Sequence, residues 1–304
     1  MIERTDVTGT PLSTLPPIAV PVDAVAHSGT FKRKRRPAWR RGPALAGLII
    51  IGVWIVVALT LPLWSPFDPL KPVADRLQEP SGAHWMGTDA LGRDVFTRAL
   101  WGVRISLPVA TVVIAAAVLL GTIVGAIAGF FGGWLDAFLM RLVDITMAFP
   151  PILLAMAITA SLGPSIRNAT IAMALVWWPI YARLLRAQVV AVRQRDFVDS
   201  AVAIGASRWL ILRRYLLPMS YTPVLVNATM DFGQVVLLVA SLSFIGLGAR
   251  PPSPEWGAMI TEGATNFYQW WIAAAAGIAI LTVVLAFNFV GDGLRDTFDV
   301  RDVS

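Results

Sequence analysis

The sequence predicts an all-α integral membrane protein of six transmembrane helices, with a short cytoplasmic helical elbow between the fourth and the fifth. Three observations carry that prediction. Of 304 residues, 56% are hydrophobic and only 14% are charged, with a mean hydropathy of +0.67, whereas a soluble domain carries about 25% charged residues. The apolar residues fall into runs close to the ~20 that a helix needs to cross hydrocarbon. The basic residues crowd beside those runs, on the side that becomes cytoplasmic under the positive-inside rule. The net charge of +6 therefore reports topology and does not point to nucleic acid. Cysteine is absent, which excludes disulfides, thiolate nucleophiles and thiolate metal sites.

Residues 1–42 form a polar, proline-bearing lead that ends in a basic segment, and it is expected to be disordered and cytoplasmic. Lys32 to Arg41 holds seven basic residues and no acid. It stands directly before the uncharged run 43–64, which is the first span with its N-terminus inside. A signal peptide would show a shorter lead and a small-residue cleavage site, and neither is present. Residues 65–104 are polar and belong outside. Within them, 89–101 reads as an interfacial amphipathic helix supported by the i,i+4 pairs Asp89–Arg93 and Asp94–Arg98, with Trp85 and Trp101 as anchors. His84 reads as an ordinary outer-loop side chain.

A core of five spans, 105–290, follows. The second span, Ile105 to Phe131, carries Gly121, Gly125 and Gly129, with Gly133 next in register, so one helix face is bare and allows close approach in lipid. Phe138 to Leu162 is the third span, and Arg141 with Asp144 near its inner end reads as a structural pair. Gly163 to Asn168 is an outer turn. Ala169 to Leu185 is the fourth span. From Arg183 to Arg214 there are seven arginines against two aspartates, which places the loop 188–217 in the cytoplasm.

That loop contains a helix, a turn and a helix. Asp196 caps the first helix, with Asp199 near its positive end; Gly205 supplies a left-handed C-terminus; Ser207 caps a second helix running toward Pro218. The elbow is too polar to cross a bilayer and suits docking into a groove on a soluble partner. Tyr215 to Gly248 is a fifth span with a kinked end. Ser253-Pro254-Glu255 starts an outer helix with proline at its first position. Trp271 to Val290 is the sixth span, and 291–304 is a cytoplasmic tail.

Chemistry of the chain's own is thinly represented. There is no Walker A sequence, and the lysines are Lys32, Lys34 and Lys71 alone, so ATP binding by this chain is not expected. The two histidines, His27 and His84, lie too far apart in sequence to build a metal cluster, and no nucleophile–base–acid set stands out. Asp231 lies within the fifth span, where a charge must face water or a partner. With Asn227 one turn earlier, it either lines a translocation path or pairs with a basic or polar group on a neighbouring helix.

At these residues the chain resembles the membrane subunits of bacterial binding-protein-dependent ABC importers, the dipeptide/oligopeptide and nickel permeases of the DppC/OppC type. The elbow is similar to their EAA loop, here Asp199-Ser200-Ala201, then Gly205, then Tyr215-Leu216-Leu217-Pro218. Three further blocks carry the likeness: 84–107, 241–257 and 288–301. Asp199 and Ser200 depart from the usual Glu and Ala, Val300 stands where the tail usually has Pro, and Asp231 replaces a small or apolar residue.

The resemblance implies a type I ABC permease fold without its own cofactor. It also implies a second permease subunit, two ATPase subunits that hold ATP and Mg, and an extracytoplasmic substrate-binding protein. Asp199, Ser200, Ala201, Gly205, Ala206, Ser207, Arg208 and Leu212 take the ATPase-coupling role, and Arg250, Glu255 and Trp256 a binding-protein contact. Peptides are the expected cargo, with nickel, haem and glutathione as alternatives. A self-sufficient secondary transporter would show paired broken helices in inverted repeats, and only one broken helix is evident.

Overall fold

A computed structural model describes residues 42–299, so the expectations for the basic N-terminal segment and for Val300 lie outside the described residues. Every regular element among these residues is helical, apart from an isolated bridge between Thr88 and Asp94. The first helix, α1 (Gly42–Trp64), matches the expected first span. Helix α2 (Val95–Phe131) is 37 residues long and begins ten residues earlier than the expected second span. The interfacial helix foreseen over 89–101 is therefore the first turns of α2 and not a separate surface element. Asp94 sets its start, because its side chain accepts a hydrogen bond from the Thr97 N–H at 2.7 Å and satisfies an otherwise orphaned donor.

The third span is not one helix. Helices α3 (Gly133–Met147) and α4 (Pro151–Leu162) meet at 89°. Pro150 and Pro151 explain the break, since neither offers an N–H to the preceding turn and each pushes the residue before it out of helical geometry. Ser165 caps α5 (Ile166–Arg193) by accepting from the Asn168 N–H at 3.1 Å, so this helix starts before and ends beyond the expected 169–185. The elbow follows as α6 (Asp196–Ala203), α7 (Arg208–Ile211), a π-helical turn (Leu212–Leu216) and α8 (Leu217–Ser220). Helix α9 (Thr222–Phe244) follows, preceded by the expected kink.

Helix α10 (Trp256–Thr265) starts two residues later than the expected proline-led turn, because Glu255 itself is the cap, accepting from the Ala258 N–H at 3.0 Å. Helix α11 (Trp270–Asp299) continues through most of the expected tail. By length and composition, α1, α2, α9 and α11 are each apolar enough to cross a membrane, and the bent pair α3–α4 makes a fifth candidate.

The bundle is held by close backbone approach more than by bulky interdigitation. At Gly121 an added methyl would fall 2.5 Å from Tyr181 Cβ, at Gly129 it would fall 2.9 Å from the Arg186 carbonyl, and at Gly125 it would strike the Ala182 carbonyl. These three glycines seat α2 on α5, whereas Gly133 lies outside the stripe, with φ +60° and open space around it. Gly47 likewise lets α1 lie against Ala286 and Phe289 of α11. Phe232 and Phe287 stack at 3.9 Å between α9 and α11, a contact of the order of 1 kcal/mol beyond area burial.

The segment before α2 is pinned by an enclosed ion network. Arg93 Nε donates to Asp89 Oδ2 at 2.6 Å, Arg98 Nη1 also donates to Asp89, and both guanidiniums reach Glu262 of α10, at 3.2 and 2.8 Å. The expected Asp89–Arg93 pair thus exists, but Asp89 precedes the helix and the pair is buried. The expected Asp94–Arg98 pair does not form. Asp94 uses Oδ1 as the cap and Oδ2 to bind His84 Nδ1 at 2.9 Å, so His84 is a buried structural residue and not a loose loop side chain.

Candidate functional site

Two features concentrate the polar chemistry of the bundle. The first is the elbow after α5. Asp196 and Asp199 lie in the first turn of α6, where they complement the helix dipole; Arg195, not Asp196, occupies the cap position. The helix closes on Gly205 at φ +80°. Its N–H bonds to the Val202 carbonyl and the Ala206 N–H to the Ala201 carbonyl, both at 3.0 Å. This Schellman arrangement needs a left-handed residue that glycine adopts without a Cβ penalty. Ser207 then accepts from the Leu210 N–H at 3.3 Å and starts α7. Pro218 cannot donate to the Arg214 carbonyl, and the preceding turn loosens so that the Leu217 N–H bonds to Leu212, five residues back.

Burial divides the elbow into an anchor and a presented edge. Val198, Ala201, Ile211, Leu212 and Leu216 are buried. Asp199, Ser200, Gly205, Ser207 and Arg208 are exposed, and Ala206 is partly so. Ala201 and Leu212 therefore hold the elbow to its own bundle. Ile204 and Trp209 flank the Gly205 turn and are 86% and 68% exposed. The apolar side that the sequence offers for this helix is Ala201, Val202 and Ile204, but only Ala201 is buried; Val202 and Ile204 face outward, and Trp209 drew no expectation.

Beneath the elbow, α3 is tied to α5. Asp136 accepts from Arg186 Nη2 at 2.6 Å and Nε at 3.1 Å, and Asp144 accepts from Arg183 at 2.6 Å. Asp144 thus pairs across helices and not with Arg141.

The second feature is intramembrane. Asp231 Oδ2 accepts from Trp177 Nε1 at 3.2 Å, Tyr181 OH at 2.8 Å and Asn227 Nδ2 at 3.1 Å. Trp177 and Tyr181 are four residues apart and so share a face of α5, a spacing the sequence contains but that names no partner by itself. Asn227 also lines a cavity of about 600 Å³ between α5, α9 and the end of α11, with Leu184, Gln188, Thr222 and Met230. The polar partners foreseen for Asp231 are therefore present on a neighbouring helix.

Ahead of α10, Arg250 is exposed, whereas Glu255 and Trp256 are enclosed. The Trp256 indole donates to the Ala99 carbonyl at 2.8 Å, and its ring packs edge-on to Trp54 with centroids 5.5 Å apart. Burial raises the Glu255 carboxyl above the ordinary carboxylate range, opposed by the Gly257 and Ala258 N–H groups. Both residues lock α10 to α2 and are closed to a partner in this conformation. Among the described residues, no group of three His, Cys, Asp or Glu side chains could hold a metal ion.

A bundle of apolar helices with one of them broken, extended by a capped polar elbow, is the type I ABC permease fold. It is shared with a chain of the MetNI methionine ABC transporter solved in inward-facing conformations, with a TM-score of 0.55 at 21% identity over 68% of this chain and 96% of that one. The chain belongs to the family described as binding-protein-dependent transport system inner membrane component, whose profile matches residues 121–301. It is 45% identical to the dipeptide transport system permease protein DppC of Alkalihalophilus pseudofirmus, over 85% of this chain and 86% of that protein. It is 44% identical to the probable D,D-dipeptide transport system permease protein DdpC of Escherichia coli, over 82% and 86%. With the glutathione transport system permease protein GsiD of Pectobacterium atrosepticum it shares 40% identity over 88% and 91%. The chain is thus a membrane component of an ABC importer and carries no ATPase site of its own.

Proposed function

We propose that this chain is one of two permease subunits, non-identical to its partner, that together form the path of a di- or oligopeptide importer. The observation that carries the coupling half of this reading is the elbow: a rigid Schellman turn at Gly205 that holds Ile204 and Trp209 outward while Val198, Ala201 and Leu212 root it in the bundle. Such a projection fits a cleft on each chain's ATPase subunit, where ATP and Mg reside. Movement of the ATPases then passes through α6 and the π turn into α9. Two relatives named for dipeptides and one named for glutathione, itself a peptide, support the cargo class.

In this reading the six spans are α1, α2, the bent α3–α4 pair, α5, α9 and α11, with α5 crossing despite its arginines because α2 and α3 cover it. Both termini and the elbow are cytoplasmic, and the outer loop around Arg250 meets the binding protein. Replacing Gly205 with Val puts a β-branched side chain at φ +80°, a conformation that costs L-residues about 1–2 kcal/mol. The variant should insert and copurify with two ATPase subunits yet lose about tenfold in peptide uptake per ATP hydrolysed. Full coupling in Gly205→Val would remove the elbow's role. A transporter with this chain that takes up glutathione but not alanyl-alanine would move the cargo to the glutathione reading.

A further inference from the structure

Helix α9 carries a polar strip that its own chain does not cover. At about 100° per residue, Asn227, Asp231, Gln234 and Ser241 fall within about 80° of one another on the helix. Ser241 satisfies its hydroxyl on the Leu237 carbonyl at 2.8 Å. Gln234 is exposed and makes no side-chain hydrogen bond among the described residues. Asp231 is half-buried and all three of its donors converge on Oδ2. Its Oδ1 accepts from no described residue, and it is not among the polar atoms sealed away without a partner. An open carboxylate oxygen and an unpartnered amide on one face of a spanning helix are both penalised against hydrocarbon. They require water or a polar occupant.

We infer that this strip of α9 borders the aqueous path, and that Asp231 Oδ1 there receives a primary ammonium group of the cargo, the N-terminal ammonium of a peptide. The inference rests on the peptide reading above and specifies which end of the peptide this subunit recognises. No Lys, Arg or His lies within ion-pair distance of Asp231 among the described residues, and its three donors are a neutral indole, phenol and amide. The carboxyl group is thus oriented by its donors but has no counter-ion among the described residues. With Oδ2 occupied, a guanidinium cannot bridge both oxygens, whereas a compact ammonium needs only one. The cavity at Asn227, whose lining also includes Arg195 and Arg295, brings open volume to within one helical turn of the site, so the ammonium is placed at Oδ1 and not in the cavity itself.

The test uses the whole transporter, with its partner permease, two ATPases and binding protein, in proteoliposomes at saturating binding protein. The probes are alanyl-alanine and propanoyl-alanine, which is the same molecule without its amino group. The parent should prefer alanyl-alanine, and Asp231→Asn should narrow that preference about tenfold, the weight of one charge-assisted hydrogen bond. Asp231→Glu should recover at least half of it. Because the binding protein is the same throughout, the change in ratio belongs to the permease. An unchanged ratio in an assembled Asp231→Asn transporter overturns the inference. So does loss of the partner permease on purification, which would make Asp231 a subunit contact. Independently, Q234C in this otherwise cysteine-free chain should react with a membrane-impermeant thiol reagent, and an unreactive Q234C overturns the aqueous assignment. A parent that carries neither probe overturns the peptide reading and this inference with it. A parent that carries alanyl-alanine while Asp231→Asn keeps the preference overturns only the inference.

Discussion

Asp89 receives two buried guanidiniums, from Arg93 and Arg98, on a single carboxylate. Breaking one member of a buried ion group leaves charge uncompensated and typically costs about 3–5 kcal/mol. Asp89→Ala should therefore lower the melting temperature sharply and open residues 65–94 to protease added from outside; an unchanged melt would mean Glu262 alone neutralises both arginines. Glu255 makes a different kind of prediction. Its folded-state carboxyl is raised by burial, so the folded chain binds its proton more readily than the unfolded one. Its contribution is favourable at acidic pH and is lost as pH rises through the ordinary carboxylate range toward the raised value. Glu255→Gln keeps an acceptor for the Ala258 N–H. It should melt no lower than the parent at pH 7, and the gap between the two should close on acidification. A gap that widens on acidification contradicts the sign. Charged residues such as these were visible in the sequence, and so was the local Asp89–Arg93 pair, but the distant partners, up to 169 positions away, were not.

At the scale of elements, the glycine stripe of α2 and the elbow were both legible, because each rests on local chain properties. A missing side chain at every fourth residue leaves a groove whatever packs there, and a left-handed helix end needs Gly wherever it falls. What fills the groove had to come from the fold: Tyr181, Ala182 and Arg186 of α5. Gly125→Val would place two methyls against the Ala182 carbonyl, and overpacking of this kind costs about 1–3 kcal/mol. The variant should show faster unfolding in detergent, whereas Gly133→Ala, in open space but at φ +60°, should lose only the cost of its backbone conformation. The bend inside the third span was not foreseen, because Pro150 and Pro151 lie within an apolar run; the ion pairs from Asp136 and Asp144 to α5 show α3 tied along that helix.

For the whole molecule, orientation is the decisive prediction. The absence of cysteine allows single reporters to be read without background. S207C, on the exposed elbow, should be modified only from the cytoplasmic side by an impermeant reagent, and R250C only from the outside. Labelling of both from one face would contradict the six-span reading, since an odd number of crossings separates the two positions through α9 alone.

The sequence by itself determined that this is a helical membrane protein, where most of its spans run and where its elbow turns. Those properties depend on hydropathy, proline, glycine and capping over a few residues at a time. Tertiary structure alone decided which face of each element is used. It enclosed Glu255 and Trp256, paired Asp94 with His84, turned Ile204 and Trp209 outward and put Trp177 and Tyr181 on Asp231. The physical reason is that a helix fixes the angular position of each side chain but not the neighbour it meets. In a bilayer, where hydrophobicity no longer separates inside from outside, that neighbour is set by the shape of the whole bundle.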